Sequence, residues 1–403
     1  LRTEALEGAR VDVAAQLLAS YYTETRALAR AAGAGSLLAM ADGRDAFWRG
    51  GRARELTYGS ATSLATSGAL PAGLKLRLGA RYLPFLTKRR AKLDPAEPAA
   101  GMGPELDTET IAAWGEREVG EDFVELLAYP LLAAYGNALP EETGAGYYHS
   151  LASAGLGVRL YAVRGGVAAL TEALAEALQA AGVAIRTGVE VGSVRAGETG
   201  VEIVAGDVAQ RFDAAVVAIP AAAALRVCAL PAEVADWLRE VRVRPAVSLA
   251  LALDGPIRTV GFGLSFSRLE PPGDALAAIC AMSRKPAGLV GGDEALVVYP
   301  APPLAAELAE AEPTTVLDRL LPSVERVLPG LGRRVRRAKV FGFPEGSVQL
   351  PPGSLRRLAA FPDARLPPRL ALAGDWRVAP HVEGAVRSGL RAAGRIGELG
   401  ARS

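Results

Sequence analysis

The chain has 403 residues, half of them hydrophobic, and 45 basic against 44 acidic side chains leave a formal net charge of +1. That length favours two packed lobes over one, and the charge balance argues against a nucleic-acid groove, which needs a clear basic excess. Two cysteines in apolar surroundings (Cys228, Cys280) and two histidines (His149, His381) offer neither a disulfide framework nor a zinc site.

In chain order, residues 1–18 alternate like a strand pair bent at Gly8, ending against the small pair Ala14-Ala15. "SYYTETRALARAAG" predicts a helix stopped by Gly33, "SLLAM" a strand, and "AFWRGGRARELT" a hairpin-like segment. From Pro71 to Leu93, Leu74, Leu76, Leu78, Tyr82, Leu83, Phe85 and Leu86 interleave with Lys75, Arg77, Arg81, Lys88, Arg89, Arg90 and Lys92. It suits an anionic membrane surface, the entrance for an acidic apolar substrate, or a solvated helical cap. After a Pro/Gly-rich joint, residues 107–136 are strongly helical, with Asp107 or Thr108 as the expected N-cap. "VRGGVAALTEALAEALQAAGVAIRTG" predicts a loop, a helix from Leu170 to Leu178 ended by Gly182, and a strand, with further strands up to "DAAVVAIP". Several antiparallel strands and the helix "TTVLDRLLPSVERVL" precede the final unit. The order mixes α/β units with meander strands, which predicts a nucleotide-type lobe interleaved with a second sheet lobe.

The final unit carries the chemistry. Leu370 to Ala373 predicts a buried strand that stops at Gly374-Asp375, and small residues then recur as Gly384, Ser388, Ala392 and as Ala385, Gly389, Ala393. On a helix each series forms a smooth face open to close approach. The helix start near Glu383-Gly384-Ala385 presents free amides and a positive dipole end. A carboxylate at the end of a strand can accept hydrogen bonds from polyol hydroxyls. A flavin meets both demands, with a ribityl chain for Asp375 and a charge-accepting pyrimidine edge for the helix. The same pattern also suits a strand–turn–helix with no ligand.

"LAGDW…HVEGAVRSGLRAA" resembles the C-terminal FAD-binding segment of the flavin-containing amine oxidase and protoporphyrinogen oxidase superfamily, and further pieces match in order. "LRTEALEGARVDVAAQLL" is similar to the segment after the family's Gly-Gly-Arg, "RGGVAAL" to its Gly-Gly-x-x-x-Leu turn, and "VEVGSVRAGETGVEI" to the strands that carry the adenine contact. "FGFPEGSVQLPPGSLRRL" resembles substrate-lobe strands. The resemblance implies an α/β fold: a Rossmann-like FAD lobe interleaved with a mixed-sheet substrate lobe and helical cap. It implies FAD-dependent oxidation of an apolar small-molecule substrate, whether tetrapyrrole, amine or isoprenoid, with no nucleic-acid partner. Asp375, Gly374, Glu383, Gly384 and Ala385 are expected at the ribityl and pyrimidine part, Arg2, Ala14, Ala15 and Gln16 against the flavin, and Val191 at the adenine by backbone. Trp376 belongs beside the isoalloxazine or in the core; Tyr129, Tyr135, Tyr147 and Tyr148 line the substrate pocket or pack in the core.

The expected division is residues 1–50, 161–225 and 351–403 for the FAD lobe, and 51–160 and 226–350 for the substrate lobe. One piece of the pattern is missing. The family's strand–GxGxxG–helix start is absent, since "GAGSLL", "GLGVRL", "GFGLSF" and "GLGRRV" all fail at the third glycine. Leu1 aligns just after the Gly-Gly-Arg, so the expectation is an N-terminally truncated chain that keeps the flavin-ring side of the site and lacks the pyrophosphate cradle. Ala14 replaces a frequent Gly and Phe343 a frequent Trp. His381 and Lys285 are the catalytic candidates, each weighed against a structural or solvated role. No leader precedes the fold and no apolar run is long enough to cross a membrane, since "AAVVAIPAAAALRVCALP" breaks at Pro220 and Arg226. A cytoplasmic location is expected, with membrane contact only peripheral. Hydrolase and phosphoryl-transfer chemistry are excluded for want of G-x-S-x-G and a P-loop.

Overall fold

The computed structural model describes residues 1–155, 157–258 and 261–400. Leu156, inside the "GLGVRL" stretch, and residues 401–403 of the last expected segment lie outside the described residues. The largest sheet has seven strands in the order Val335–Gln349, Arg242–Leu253, Glu294–Pro300, Leu276–Ala281, Gly263–Ser265, Arg44–Trp48 and Ala53–Thr57. It is antiparallel except where Gly263–Ser265 runs parallel to Arg44–Trp48. Period-two alternation gives the sheet two different faces. Leu249, Leu251, Ile279, Ala281, Leu296 and Val298 pack against Val316, Leu320 and Val324 of the helix Pro313–Val327. The residues between them, Ala250, Ala252, Cys280, Ala295 and Val297, pack instead against Val11 and Val13.

Those two valines belong to the N-terminal segment, whose strands Thr3–Leu6 and Ala9–Asp12 form the expected hairpin, with Gly8 at the bend in a left-handed conformation (φ 79°). A three-stranded sheet joins Leu18–Ala19, Leu160–Val163 and Leu38–Met40. The parallel pair Ala215–Val217 and Leu370–Leu372 aligns Val217 with Leu372, so both strands end together. The C-terminal helix Val382–Gly400 packs on that pair: Ala392 is buried with Ala371 and Ala373.

The Ala/Leu/Glu-rich run "AALTEALAEALQA" forms the helix Ala168–Ala180, as its propensities favour, and Gly182 follows it at φ 85°. The strand expected next does not form. Residues 183–190 pair with no strand, and Val183, Ile185 and Val189 are exposed at 45%, 40% and 50%. Alternating apolar residues need a neighbouring strand to bury them, and none of the described strands supplies it. The long cap helix is also interrupted. Its first piece is Ile111–Glu118, capped by the Thr110 hydroxyl on the Ala113 amide, and Gly120 at φ 123° breaks the run. Asp107 does not cap that helix; it is buried and accepts a hydrogen bond from the Leu355 amide (2.9 Å). In the basic stretch, Leu74, Leu78, Tyr82 and Leu86 bury one stripe of the cap. Lys75 reaches the Ser67 carbonyl (2.6 Å), Arg77 bonds Asp122 (2.5 Å), and Arg81 bonds the Glu118 carbonyl (3.0 Å). Among the described residues no helix is long and apolar enough to cross a membrane, and no cluster of ligating side chains could hold a metal ion.

Candidate flavin site

The first half of the candidate site is built around Asp12, at the end of the N-terminal hairpin. Its carboxylate is 1% exposed and accepts from the Thr3 hydroxyl (2.6 Å), the Val167 amide (2.8 Å) and Lys285 Nζ (2.5 Å). The Thr3 hydroxyl in turn accepts from the Ala168 amide (3.0 Å). The hairpin thus caps the helix that opens after Gly165-Gly166, satisfying amides that a helix start leaves free. Gly166 is required there. It lies at φ 98°, and a Cβ would come within 2.4 Å of Thr3 Cγ2 and 2.9 Å of Asp12 Oδ1. Two segments separated by more than 150 residues meet at this one carboxylate.

Lys285, a catalytic candidate from the sequence, is the buried partner of that carboxylate, with a side chain 0% exposed. Burial pushes its pKa down, against the pull of Asp12. The geometry assigns it to the ion pair. Just beyond Asp12, Ala14 is exposed and its carbonyl accepts from the Tyr299 hydroxyl (2.9 Å). Gln16 Nε2 donates to that same hydroxyl (2.5 Å) and to the Asp12 carbonyl. Gln16 Oε1 is buried without a hydrogen-bond partner, two residues beyond the exposed Ala14. Arg2 lies at the outer side of the hairpin, bonded to Glu4 (2.7 Å) and stacked over Phe341 (5.2 Å to the ring centre).

The second half lies where the parallel strands end. Gly374 has φ 154°, and a Cβ there would fall 2.2 Å from Trp376 Nε1; its amide is held by the Ser388 hydroxyl (2.9 Å). The half-buried Asp375 carboxylate accepts the Trp376 amide (2.9 Å), and burial raises its pKa. Trp376 takes the core position of its two alternatives. It is 3% exposed, donates to the Ile219 carbonyl (3.1 Å), and packs with Trp237 and Phe361.

The two small-residue series part company on the C-terminal helix. Gly384, Ser388 and Ala392 face protein: a Cβ on Gly384 would sit 2.1 Å from the Ala379 carbonyl. Ala385 is exposed, and Gly389 has open space where its Cβ would be, so this second face is the accessible one. His381, the other catalytic candidate, caps the helix. Its Nδ1 accepts the Gly384 amide (2.9 Å), and its Nε2–H, assigned from that bond, donates to the Pro95 carbonyl (3.0 Å). Burial lowers its pKa, which suits a neutral ring using both nitrogens. Glu383 turns away from the helix start. Fully buried, its carboxylate accepts from the amides of Glu24 (3.0 Å) and Thr25 (2.9 Å), the Thr25 hydroxyl (2.8 Å) and Arg387 Nε (2.9 Å). Burial alone would raise its pKa; those donors together outweigh it and the net shift is downward. Its side chain therefore caps the helix Thr23–Ala31.

Val191 stands apart on a different sheet, 39% exposed at the start of the strand Val191–Ala196. Of the four tyrosines, Tyr135, 41% exposed, joins a hydroxyl cluster with Tyr22 (2.7 Å) and Tyr21 (3.1 Å), and burial raises the pKa of Tyr22 and pushes that of Tyr21 up to about 12. Tyr147 and Tyr148 are buried in two separate cores, and Tyr129 is buried under the Arg268 guanidinium. Sequence reasoning missed Tyr299 and Thr3; a single Tyr in "VVYP" and a Thr in a hairpin carry no signal of their partners.

The model of the family of flavin-containing amine oxidoreductases matches residues 1–397. The chain belongs to that family. This oxidoreductase is an FAD-dependent enzyme by that membership, with flavin as its cofactor. No curated protein matches it. Among solved structures, a proposed protoporphyrinogen oxidase from Exiguobacterium sp. 255-15 superposes with a TM-score of 0.74 at 13% identity, covering 100% of this chain and 90% of the other. Cyclohexylamine oxidase from Brevibacterium oxydans gives 0.74 at 18% identity, covering 99% and 90%. Wild-type putrescine oxidase bound to putrescine gives 0.74 at 15% identity, covering 98% and 90%. At such identities the likeness establishes the shared fold.

Proposed function

We propose that this oxidoreductase passes a hydride equivalent from an apolar small-molecule substrate to FAD, which supplies the two-electron acceptor when bound. The observation that carries the reading is a pair of under-used acceptors, one in each half-site. Gln16 Oε1 is buried and unpartnered, and the half-buried Asp375 carboxylate has the Trp376 amide as its hydrogen-bond donor. Polar atoms left this way fit a ligand rich in donors, as a ribityl chain and a flavin ring edge are. Asp375 and the exposed face at Ala385 would hold the ribityl and pyrimidine part, the Ala14–Gln16 turn would meet the ring, and Val191 would offer backbone to the adenine. The Asp12–Lys285 pair and Tyr299 fix the Ala14–Gln16 turn. Tyr21, Tyr22 and Tyr135 supply neutral hydroxyls and ring surface, which suits an apolar substrate. The five-segment division is supported by sheet membership, with the boundary near residue 50 drawn back to Arg44, where the strand of the large sheet begins.

A second reading, in which the chain retains FAD poorly until a further strand–turn–helix completes it, is favoured by one observation. Residues 183–190 present apolar side chains to solvent and join no sheet among the described residues, although Arg186 reaches Gln210 of the strand Val208–Phe212 (3.2 Å). The basic segment serves in either case as a helical cap. Its alternative role on an anionic membrane surface is favoured by Leu76, 74% exposed among basic residues. The deciding experiment is a visible absorption spectrum of the purified chain before and after soaking with FAD and desalting. Retained flavin that bleaches with an amine, tetrapyrrole or isoprenoid supports the first reading and names the substrate class. Loss of flavin on desalting supports the second.

A further inference from the structure

We propose a second ligand site, for an amphipathic anion, on the face of the large sheet that points away from the flavin half-sites. A cavity of about 380 Å³ lies between the strands around Trp48, Leu264 and Ile279 and the end of the helix Pro313–Val327. Its placement follows from the alternation of the sheet. Ile279 and Ala281 line the cavity and face the helix, whereas Cys280 between them faces Val11 and Val13 under the N-terminal hairpin. No residue assigned to the flavin site lines it.

The chemistry of the lining sets the ligand class. Its floor is apolar, from Trp48, Leu264, Ile279 and Val327, and its size falls in the range of small-molecule pockets. Arg52, Arg258 and Arg326 also line it, and no Asp or Glu does. All three are exposed, and none forms an ion pair among the described residues. Three like charges at the edge of one apolar cleft repel one another and raise the local concentration of anions. A carboxylate or phosphate relieves that repulsion and accepts the planar fork of a guanidinium in two hydrogen bonds. An alkyl or aromatic body behind the head group covers the apolar floor. The ligand is therefore a small anion with an apolar body, and the shared recognition chemistry is an oxyanion head group.

Trp48 in the cavity wall gives the readout. Tryptophan emission is titrated with decanoate, decyl phosphate, decanol and decyltrimethylammonium, each below its micelle concentration, on the full chain and on Trp48→Phe. A saturable change with either anion, absent from Trp48→Phe and at least tenfold weaker for the alcohol and the cation, is the expected result. The stronger of the two anions identifies the head group. Arg258→Glu combined with Arg326→Glu should weaken anion binding at least tenfold, and Ala53→Phe, which fills the cavity without touching its charge, should abolish it. Circular dichroism checks that each variant folds. Equal affinity for decanol, indifference to the charge reversals, or no saturable change in emission overturns the proposal. None of these readouts depends on flavin.

Discussion

Lys285→Met should destabilise the fold by about 3–5 kcal/mol, the range for removing one partner of a buried ion pair. The Lys285 and Asp12 side chains are 0% and 1% exposed and 2.5 Å apart. Methionine fills the volume and keeps contact with Phe262, whose ring centre lies 5.4 Å from Nζ, so packing changes little and the loss is electrostatic. Asp12 keeps the Thr3 hydroxyl and the Val167 amide, which places the expected value at the lower end of the range. Combining Lys285→Met with Asp12→Asn removes both charges while the asparagine oxygen still accepts from Thr3 and Val167. The double variant should regain all but about 1–2 kcal/mol, since a neutral polar pair avoids the uncompensated charge. The assay is urea unfolding followed by tryptophan emission, with the interaction energy taken from the double-mutant cycle. A loss below about 1 kcal/mol for Lys285→Met, or additive losses in the double variant, would refute the assignment of Lys285 to the ion pair and return it to the catalytic candidates.

Asp375→Ala should leave the fold intact and weaken FAD retention at least tenfold, measured as flavin per chain after desalting; unchanged retention removes Asp375 from the site. Gly374→Ala should cost about 3 kcal/mol or more in the same urea assay, because the new Cβ would lie 2.2 Å from Trp376 Nε1 at φ 154°. His149 is buried and its pKa is pushed down to about 3. The unfolded chain therefore binds more protons between pH 6.5 and 3, and stability falls as pH drops through that window, by up to about 1.4 kcal/mol per unit. Asp45 and Asp107, raised by burial to about 6, act in the opposite direction. The test is the difference between the parent and His149→Phe, which should grow smoothly in the variant's favour below pH 6.5; a difference independent of pH would contradict the burial of His149.

Much of the fold was legible because its signals are local. The hairpin at Gly8, the helix after Gly165-Gly166 and the buried strand before Gly374 each announce themselves by periodicity and a glycine. The positions around the candidate site were legible too, through Asp12, Ala14-Ala15, Gly374-Asp375 and the helix from Val382. What the sequence could not reveal is direction. Glu383 sits in the expected turn but its carboxylate faces the helix Thr23–Ala31, and Trp376 follows Asp375 but enters the core. Lys285 looked like a loop lysine because its partner lies 273 residues away. Residues 183–190 show the converse: local alternation predicts a strand, yet a strand exists only where a neighbour completes its hydrogen bonds.

The bond between Glu383 and the Thr25 amide also sets a timetable. The two residues are 358 positions apart, so at roughly 5–20 residues per second a ribosome needs about 20–70 s to deliver the acceptor after Thr25 has been made. Until then the start of the helix Thr23–Ala31 lacks the Glu383 carboxylate that caps it, and the strand Ala215–Val217 waits less than half as long, 155 residues, for Leu370–Leu372. The nascent chain therefore keeps both surfaces open to chaperones over these intervals, and this lobe closes only when the strand Leu370–Leu372 and the helix Val382–Gly400 arrive.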